Sequence, residues 1–255
     1  MKRAQQWLRA LTGRRSALSP TQAIRWQRLQ QFASLSVIAG VGSRWADDAV
    51  DHARWVVADV ESSGLDVRRD WLIAIGAVAV AGRGVQLADS FEVVLRQQQV
   101  STDANILVHR IAGRDQIEGV DPVDALLGFL EFVGDSPLVG YHAQFDALMI
   151  EGACQRYLGS AHPMLWLDLA RLAPVLVGAS QRKNAQPRAS VEARPLDWWL
   201  ERFHIQILAR HNAAADALGT AQLLGVLLPM CKAQGFASVA SIVQLLQDDR
   251  WLGRR

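Results

Sequence analysis

The succession of short apolar segments after residue 54 is the sequence feature that most constrains the fold. Each segment is bounded by turn residues, as is typical of strands. The predicted strands cover residues 55–61, 71–81, 85–95, 138–142 and 165–169. Gly82-Arg83-Gly84 forms the predicted hairpin connection between the second and third strands. Helical segments separate the later strands, so the order predicts an α/β fold with a mixed five-stranded sheet flanked by helices.

Helical periodicity divides the rest of the chain. The predicted helices cover residues 103–111, 122–133, 145–158, 196–203, 213–234 and 238–247.

We divide the chain into a basic helical N-terminal extension (1–50), a main domain (51–235), and a C-terminal helix and tail (236–255). Within the main domain, residues 178–194 are polar and carry four basic residues against one acidic residue. This segment is predicted to be a mobile basic loop.

The first 50 residues differ in charge from the rest of the chain. They carry eight basic and two acidic side chains, a charge of +6, which leaves −4 for the other 205 residues of a chain with net charge +2. Apolar spacing within residues 4–11 predicts a short amphipathic helix. Ser19-Pro20-Thr21-Gln22 predicts the start of a second helix that ends near residue 34. The extension is interpreted as a transit peptide, as a segment docked on the main domain, or as an arm that binds phosphates, a polymerase or another protein.

Composition excludes several protein classes. Half of the residues are hydrophobic and 20% are charged, which excludes disordered and fibrous proteins. Cys154 and Cys231 are far apart and lack the Cys/His spacing of a zinc site, so a reducing, cytoplasmic location is expected. No run of apolar residues reaches the roughly 18 that a membrane span needs, and we therefore expect no membrane partner.

Acidic residues lie on the first predicted strand and after the fourth. Asp59 and Glu61 are two positions apart, so their side chains project from the same face of the strand. Such a pair favours a divalent cation such as Mg²⁺ between the carboxylates. Asp146 follows the strand 138–142, at the kind of strand end where open α/β sheets place their sites. The alternatives are a solvated strand end for the pair and a helix-capping role for Asp146.

His211 and Asp216 bracket the start of the long helix predicted at 213–234. Five helical residues would place the two side chains about 140° apart. His211 therefore has to lie on the preceding loop if both belong to one site, and a surface or capping histidine is the alternative. No Gly-x-Ser-x-Gly sequence surrounds a serine, which makes a catalytic serine-histidine pair the weaker competitor.

Taken together, these motifs are far more specific than any one of them. D-x-E followed by S-S-G-L, then F-D after a strand, then R-H-x-A-x-x-D at the start of a late helix, occur in this order. The combination resembles the DEDDh 3′–5′ exonucleases over about residues 55–228. In pattern it is similar to the epsilon proofreading subunits of bacterial DNA polymerase III and to their free-standing homologues.

The resemblance implies an RNase H-like fold and removal of nucleotides from the 3′ end of single-stranded nucleic acid, with DNA favoured. It implies two Mg²⁺ or Mn²⁺ ions, which several converging carboxylates would hold. By similarity, Asp59 would bridge both ions, Glu61 and Asp216 would bind the first, and Asp146 would bind the second. His211 would act as the general base, since histidine titrates near neutral pH.

Two other functions are compatible with the same fold. A 3′–5′ exoribonuclease differs from a DNA exonuclease in its contacts with the 2′-hydroxyl, which the sequence does not identify. A module that only binds nucleic acid or a polymerase is the second alternative. The presence of all four acidic residues argues against it, because binding alone does not require them.

The resemblance also implies residues that contact the substrate. Ser62 and Ser63 occupy positions where the family usually has threonines, so hydroxyls near the terminal sugar are retained. Leu65 would pack against the last base. His109 and Ile111 would line the opposite side of the pocket. Simple core or loop packing is the alternative for each of them.

Three features depart from the family pattern. Tyr141-His142 replaces the usual His-Asn before the second motif, and His142 would contact phosphate or sugar instead. Arg110 replaces a common glycine. The polymerase-binding tail and clamp-binding peptide of the epsilon subunits are not recognisable after residue 237. The pattern therefore predicts the activity without predicting a dedicated proofreading subunit.

Overall fold

The computed structural model describes residues 18–38, 48–82, 84–162, 164–182, 194–207 and 210–252. The strands are β1 (Trp55–Ser62), β2 (Leu72–Ala81), β3 (Gly84–Val94), β4 (Leu138–Gly140) and β5 (Trp166–Asp168). The helices are α1 (Pro20–Ile38), α2 (Asp103–His109), α3 (Gly113–Glu118), α4 (Pro122–Val133), α5 (Gln144–Tyr157), α6 (Leu169–Arg182), α7 (Leu196–Arg202), α8 (Ala213–Ala233) and α9 (Val239–Leu252). The predicted helix within residues 4–11 lies outside the described residues.

The strands form one mixed five-stranded sheet in the order β3-β2-β1-β4-β5. β1 is the central strand, antiparallel to β2 and parallel to β4. β3 pairs antiparallel with β2, and β5 pairs parallel with β4. The predicted mixed sheet flanked by helices is confirmed. β4 is shorter than predicted, because the chain leaves the sheet after Gly140 and residues 141 and 142 form a bend.

Alternating side chains of β1 belong to two separate cores. Trp55 and Val57 are buried with residues of α6, α7, α8 and α9. Val56 and Ala58 are buried with residues of α4 and α5 on the other face. Asp59 and Glu61 continue the first of these series, so the period of two along the strand directs both towards the face that α8 covers.

The start of α8 lies directly on β2 because residue 76 has no side chain. A Cβ on Gly76 would be 2.2 Å from the backbone nitrogen of Ala214 and 2.3 Å from the carbonyl carbon of Ala213. Gly76 pairs with Asp59 across the two strands. This close approach brings the first turn of α8 next to the acidic part of β1.

α8 is long and apolar enough to cross a membrane by length and composition, and 56% of its apolar window is buried inside the protein. Ala221, Leu224 and Leu227 are among its fully or almost fully buried side chains. A core helix packed on a sheet has this composition for the same reason as a spanning helix, since most of its surface avoids water.

Two helices were not predicted. α6 buries Leu169, Leu172, Ala173 and Leu176, which follow helical spacing. Pro174 lies inside it, and a proline in that position weakens the sequence signature of a helix. α6 also occupies residues 178–182 of the predicted mobile loop, so that part of the prediction is wrong, and residues 183–193 lie outside the described residues. The second helix that was not predicted is the short helix α3.

The described part of the extension is docked on the main domain. Ser19 and Gln22 form the predicted capping pair, with each side chain accepting a hydrogen bond from the other's backbone N–H. Arg25 donates two hydrogen bonds of 2.7 Å to Glu131 of α4. Trp26 is buried, and its ring centroid is 5.5 Å from that of His162. Docking is therefore the arrangement that the structure shows for α1.

Candidate active site

Three carboxylates meet between β1 and α8. Asp59 and Glu61 project from β1, and Asp216 lies in the first turn of α8. One oxygen from each of the three lies within 4.8 Å of the others. Glu61 and Asp216 are buried, and Asp59 is partly exposed. The predicted convergence of residues separated by more than 150 positions is present in the fold.

Asp146 approaches the same region from α5. It lies in the first turn of that helix and is buried. Its Oδ1 accepts a hydrogen bond of 3.0 Å from the backbone N–H of Val60, the residue between Asp59 and Glu61. This bond fixes the fourth carboxylate against the strand that carries the first two.

Burial and mutual repulsion perturb these carboxyl groups. Desolvation, followed by repulsion from Asp146 and Glu61, raises the pKa of Asp59 well above its usual range. Desolvation, followed by repulsion from Asp216 and Asp146, raises the pKa of Glu61 to about 8. Desolvation also raises the pKa of Asp146 to about 7. Converging carboxylates that repel each other in a buried site have the donor chemistry that hard divalent cations require.

His211 lies on the loop before α8. A site shared with Asp216 requires this position. Its backbone N–H donates to Oδ2 of Asp216 at 3.1 Å. Its φ of +59° is in the left-handed region, and the side chain is exposed. Asn212, the next residue, caps α8 by accepting from the N–H of Ala215 at 3.0 Å. The cap and the bond to Asp216 together fix the loop that presents the imidazole to solvent.

Residues 56–224 match the protein-family model RNase_T, which is described as "Exonuclease". The chain belongs to the DEDD-type 3′–5′ exonuclease family. Among curated relatives of this exonuclease domain is "DNA polymerase III PolC-type" of Caldanaerobacter subterraneus subsp. tengcongensis. It is 26% identical over 227 residues, which are 84% of this chain and 15% of that protein.

A second relative is the "DNA polymerase III subunit epsilon-like protein" of Rhodobacter capsulatus. It is 26% identical over 209 residues, which are 80% of this chain and 28% of that protein. The chain thus spans less than a third of the length of either relative. E. coli Exonuclease I in complex with a dT13 oligonucleotide has a similar structure, with a TM-score of 0.57 and 14% identity over 72% of this chain and 42% of that chain. The RNase H-like fold is confirmed.

The turn after β1 uses its hydroxyl groups internally. The Ser62 hydroxyl donates to the carbonyl of Gly64 at 2.6 Å. The Ser63 hydroxyl donates to Asp70 at 2.9 Å and accepts from the N–H of Trp71 at 3.1 Å. The exonuclease domain therefore uses both predicted substrate-binding hydroxyls to hold its own turn, and their contacts with a terminal sugar stay a prediction.

Leu65, His109 and Ile111 have different environments. Leu65 is 88% exposed next to the turn, where an apolar side chain is available to a base. Nδ1 of His109 contacts a carboxylate oxygen of Glu61, so this histidine borders the acidic cluster. Ile111 is buried with Ile73 and Ala74 in a small apolar cluster. Their predicted contacts with substrate are untested.

His142 lies beside an open depression of about 340 Å³. The other residues that line it are Val67, Gln144, Phe145, Leu148 and Asp168. The backbone N–H of His142 donates to Oδ1 of Asp168 at 2.9 Å, and its φ is +59°. Phe145 directly precedes Asp146, so the depression adjoins the helix start that carries the fourth carboxylate. The imidazole is exposed, and its predicted contact with phosphate or sugar stays a prediction.

Sequence reasoning assigned no role to Arg210 or Asp168. One terminal nitrogen of Arg210 contacts Asp216, and its Nε contacts Asp197. Asp168 accepts hydrogen bonds from the backbone N–H groups of His142 and Ala170, and so connects β4 to α6. The sequence signals that could have identified them are an arginine directly before His211 and an acidic residue near the end of the predicted strand 165–169.

Proposed function

We propose that this protein removes nucleotides one at a time from the 3′ end of single-stranded DNA by metal-dependent hydrolysis. The convergence of Asp59, Glu61 and Asp216 within 4.8 Å is the observation that carries the proposal. Family membership supports the 3′–5′ exonuclease activity. The oligonucleotide in the Exonuclease I structure supports DNA as the substrate.

The four carboxylates fit a pair of Mg²⁺ or Mn²⁺ ions. Asp59 would contact both ions, Glu61 and Asp216 would hold the first, and Asp146 would hold the second. When bound, such ions supply Lewis-acid activation of the attacking water and neutralise charge on the leaving 3′ oxygen. The raised pKa values of Asp59, Glu61 and Asp146 support this assignment, because bound cations would offset the desolvation and the weaker repulsion that raise them.

His211 would accept the proton of the attacking water. Its exposed position on a loop fixed to Asp216 supports this role, since a general base has to reach the water without being locked in the core. Leu65 and His142 would contact the terminal nucleotide from outside the acidic cluster. We also propose residues 51–235 as the catalytic domain, with the extension 1–50 as the candidate surface for a polymerase or another partner.

The location proposed for the enzyme is the cytoplasm. Cys154 and Cys231 are both free and buried, which agrees with a reducing compartment. Activity should therefore be measured in the presence of a reductant.

The test compares matched DNA and RNA oligonucleotides with a 5′ label, each in Mg²⁺ and in EDTA. We expect DNA to shorten stepwise from its 3′ end in Mg²⁺ only. Asp216→Ala should abolish this cleavage while the fold is retained, because a metal ligand is lost and repulsion in the cluster falls. Asp135→Ala, at an exposed turn, is the matched control. Near-normal turnover of Asp216→Ala would refute the site, and faster turnover of RNA would refute the substrate.

A further inference from the structure

The guanidinium of Arg210 lies between two carboxylates of different helices. Its Nε donates to Oδ1 of Asp197 on α7 at 2.6 Å, and a terminal nitrogen donates to Oδ1 of Asp216 on α8. The Asp216 side chain is 10% exposed, whereas that of Asp197 is 65% exposed. One arginine therefore connects a buried member of the acidic cluster to a carboxylate at the surface.

Arg210 acts on more of the cluster than the carboxylate it contacts. Its positive charge also attracts the carboxylates of Asp59 and Glu61. It therefore supplies part of the positive charge that the cluster needs. A divalent ion held by Asp216 would compete with Arg210 for the same carboxylate and would repel its guanidinium.

We propose that Arg210 is the counter-cation of the acidic cluster in the metal-free protein, and that metal binding moves it from Asp216 onto Asp197. The inference rests on the proposed metal-dependent function. Arg210 is in this sense a positioning residue that sets metal affinity and holds the His211 loop. Asp197 makes the transfer possible because it already accepts a hydrogen bond from Nε of Arg210. It would keep the arginine paired after the contact with Asp216 is broken.

The two partners of this ion pair then have opposite effects on metal affinity. Arg210→Gln removes the competing cation, and divalent metal should bind about tenfold more tightly, as expected for a unit charge about 6 Å from a divalent ion in a water-like dielectric. Asp197→Asn keeps an acceptor oxygen but removes the negative charge that attracts Arg210, so the arginine stays with Asp216 and metal should bind several-fold more weakly. Arg210→Lys keeps the charge and should remain close to the wild type. Loss of charge alone would shift Arg210→Gln and Asp197→Asn in these same directions, and the two shifts would add in the double variant. Under the transfer, Asp197→Asn should lose most of its effect on Mn²⁺ affinity once Arg210 is absent.

The experiment titrates the full chain with Mn²⁺ by calorimetry, without nucleic acid, and records thermal unfolding in EDTA and in Mn²⁺. Arg114→Gln, which removes an exposed pair with Glu118 on α3, is the control for loss of a surface arginine. We expect tighter binding in Arg210→Gln together with a lower unfolding temperature in EDTA, and weaker binding in Asp197→Asn.

Shifts of the same sign, shifts that add in the double variant, or no shift would overturn the role of Arg210. Mn²⁺ binding by the wild type would in each case still support the metal site. Absence of Mn²⁺ binding in the wild type would instead refute the proposed function. If Arg210→Gln does not fold, the exposed variant Asp197→Asn decides, because unchanged or tighter binding in it contradicts the transfer.

Discussion

Replacement of Gly76 by alanine tests whether the close contact between β2 and α8 sets the geometry of the site. The added Cβ would meet the backbone nitrogen of Ala214 at 2.2 Å. Backbone atoms cannot rotate away as a flexible side chain can, so the start of α8 has to move. The distance must lengthen from 2.2 Å to at least 3.0 Å, a displacement of about 0.8 Å.

This displacement reaches the site directly. Asp216 is two residues after Ala214 in the same helical turn, and Gly76 pairs with Asp59 on the facing strand. Overpacking of this kind typically costs about 1–3 kcal/mol of folding stability. A misplacement of about 1 Å between catalytic groups costs on the order of 10²-fold in rate. We therefore expect Gly76→Ala to fold with reduced stability and to lose about two orders of magnitude in turnover.

The assay measures stepwise shortening of a DNA oligonucleotide and urea unfolding on the same preparations. Gly152→Ala is the matched control, because a Cβ at this position of α5 meets nothing within 4 Å. It should be stabilised by about 0.5–1 kcal/mol, as expected for alanine in a helix interior, with unchanged turnover. Turnover of Gly76→Ala within about threefold of the wild type would refute the reasoning, as would an equal loss in Gly152→Ala.

Three further perturbations have defined outcomes. His211→Ala should lower kcat by roughly 10² to 10⁴ with little change in Mn²⁺ affinity, as expected for a lost general base. Neutralising Arg182, Lys183 and Arg188 together should flatten the plot of log K against log salt for a long single strand by up to about 2 units, at about 0.7 per phosphate contact, and leave dinucleotide cleavage unchanged. Burial lowers the pKa of His162 from 6.5, so the unfolded chain takes up its proton first. The free energy of unfolding should therefore fall as pH drops below about 6.5, and His162→Gln should remove that part of the dependence, as measured by urea unfolding between pH 5 and 8.

Each of these has a contradicting result. Parallel loss of Mn²⁺ binding and activity in His211→Ala would make that residue a ligand. An unchanged salt slope would show that Arg182, Lys183 and Arg188 make no phosphate contacts. Identical pH profiles for the wild type and His162→Gln would show that other groups control acid stability.

Local patterns in the sequence determined the elements and the order of the acidic residues. The period of two along β1 placed Asp59 and Glu61 on one face, and the capping pair Ser19 and Gln22 placed the start of α1. Helical geometry required His211 to precede α8 if it shares a site with Asp216. Such features depend on neighbours a few residues away, so the chain encodes them without reference to the rest of the fold.

Contacts between distant segments decided the remainder. The approach of α8 to Gly76, the contact of His109 with Glu61 and the bridge from Arg210 to Asp197 depend on how elements pack. The same is true of α6, whose apolar stripe is stabilised by the core despite Pro174. Only tertiary structure decides these features, because each depends on the distance and burial of groups that are far apart in sequence, and electrostatic and packing energies change steeply with both.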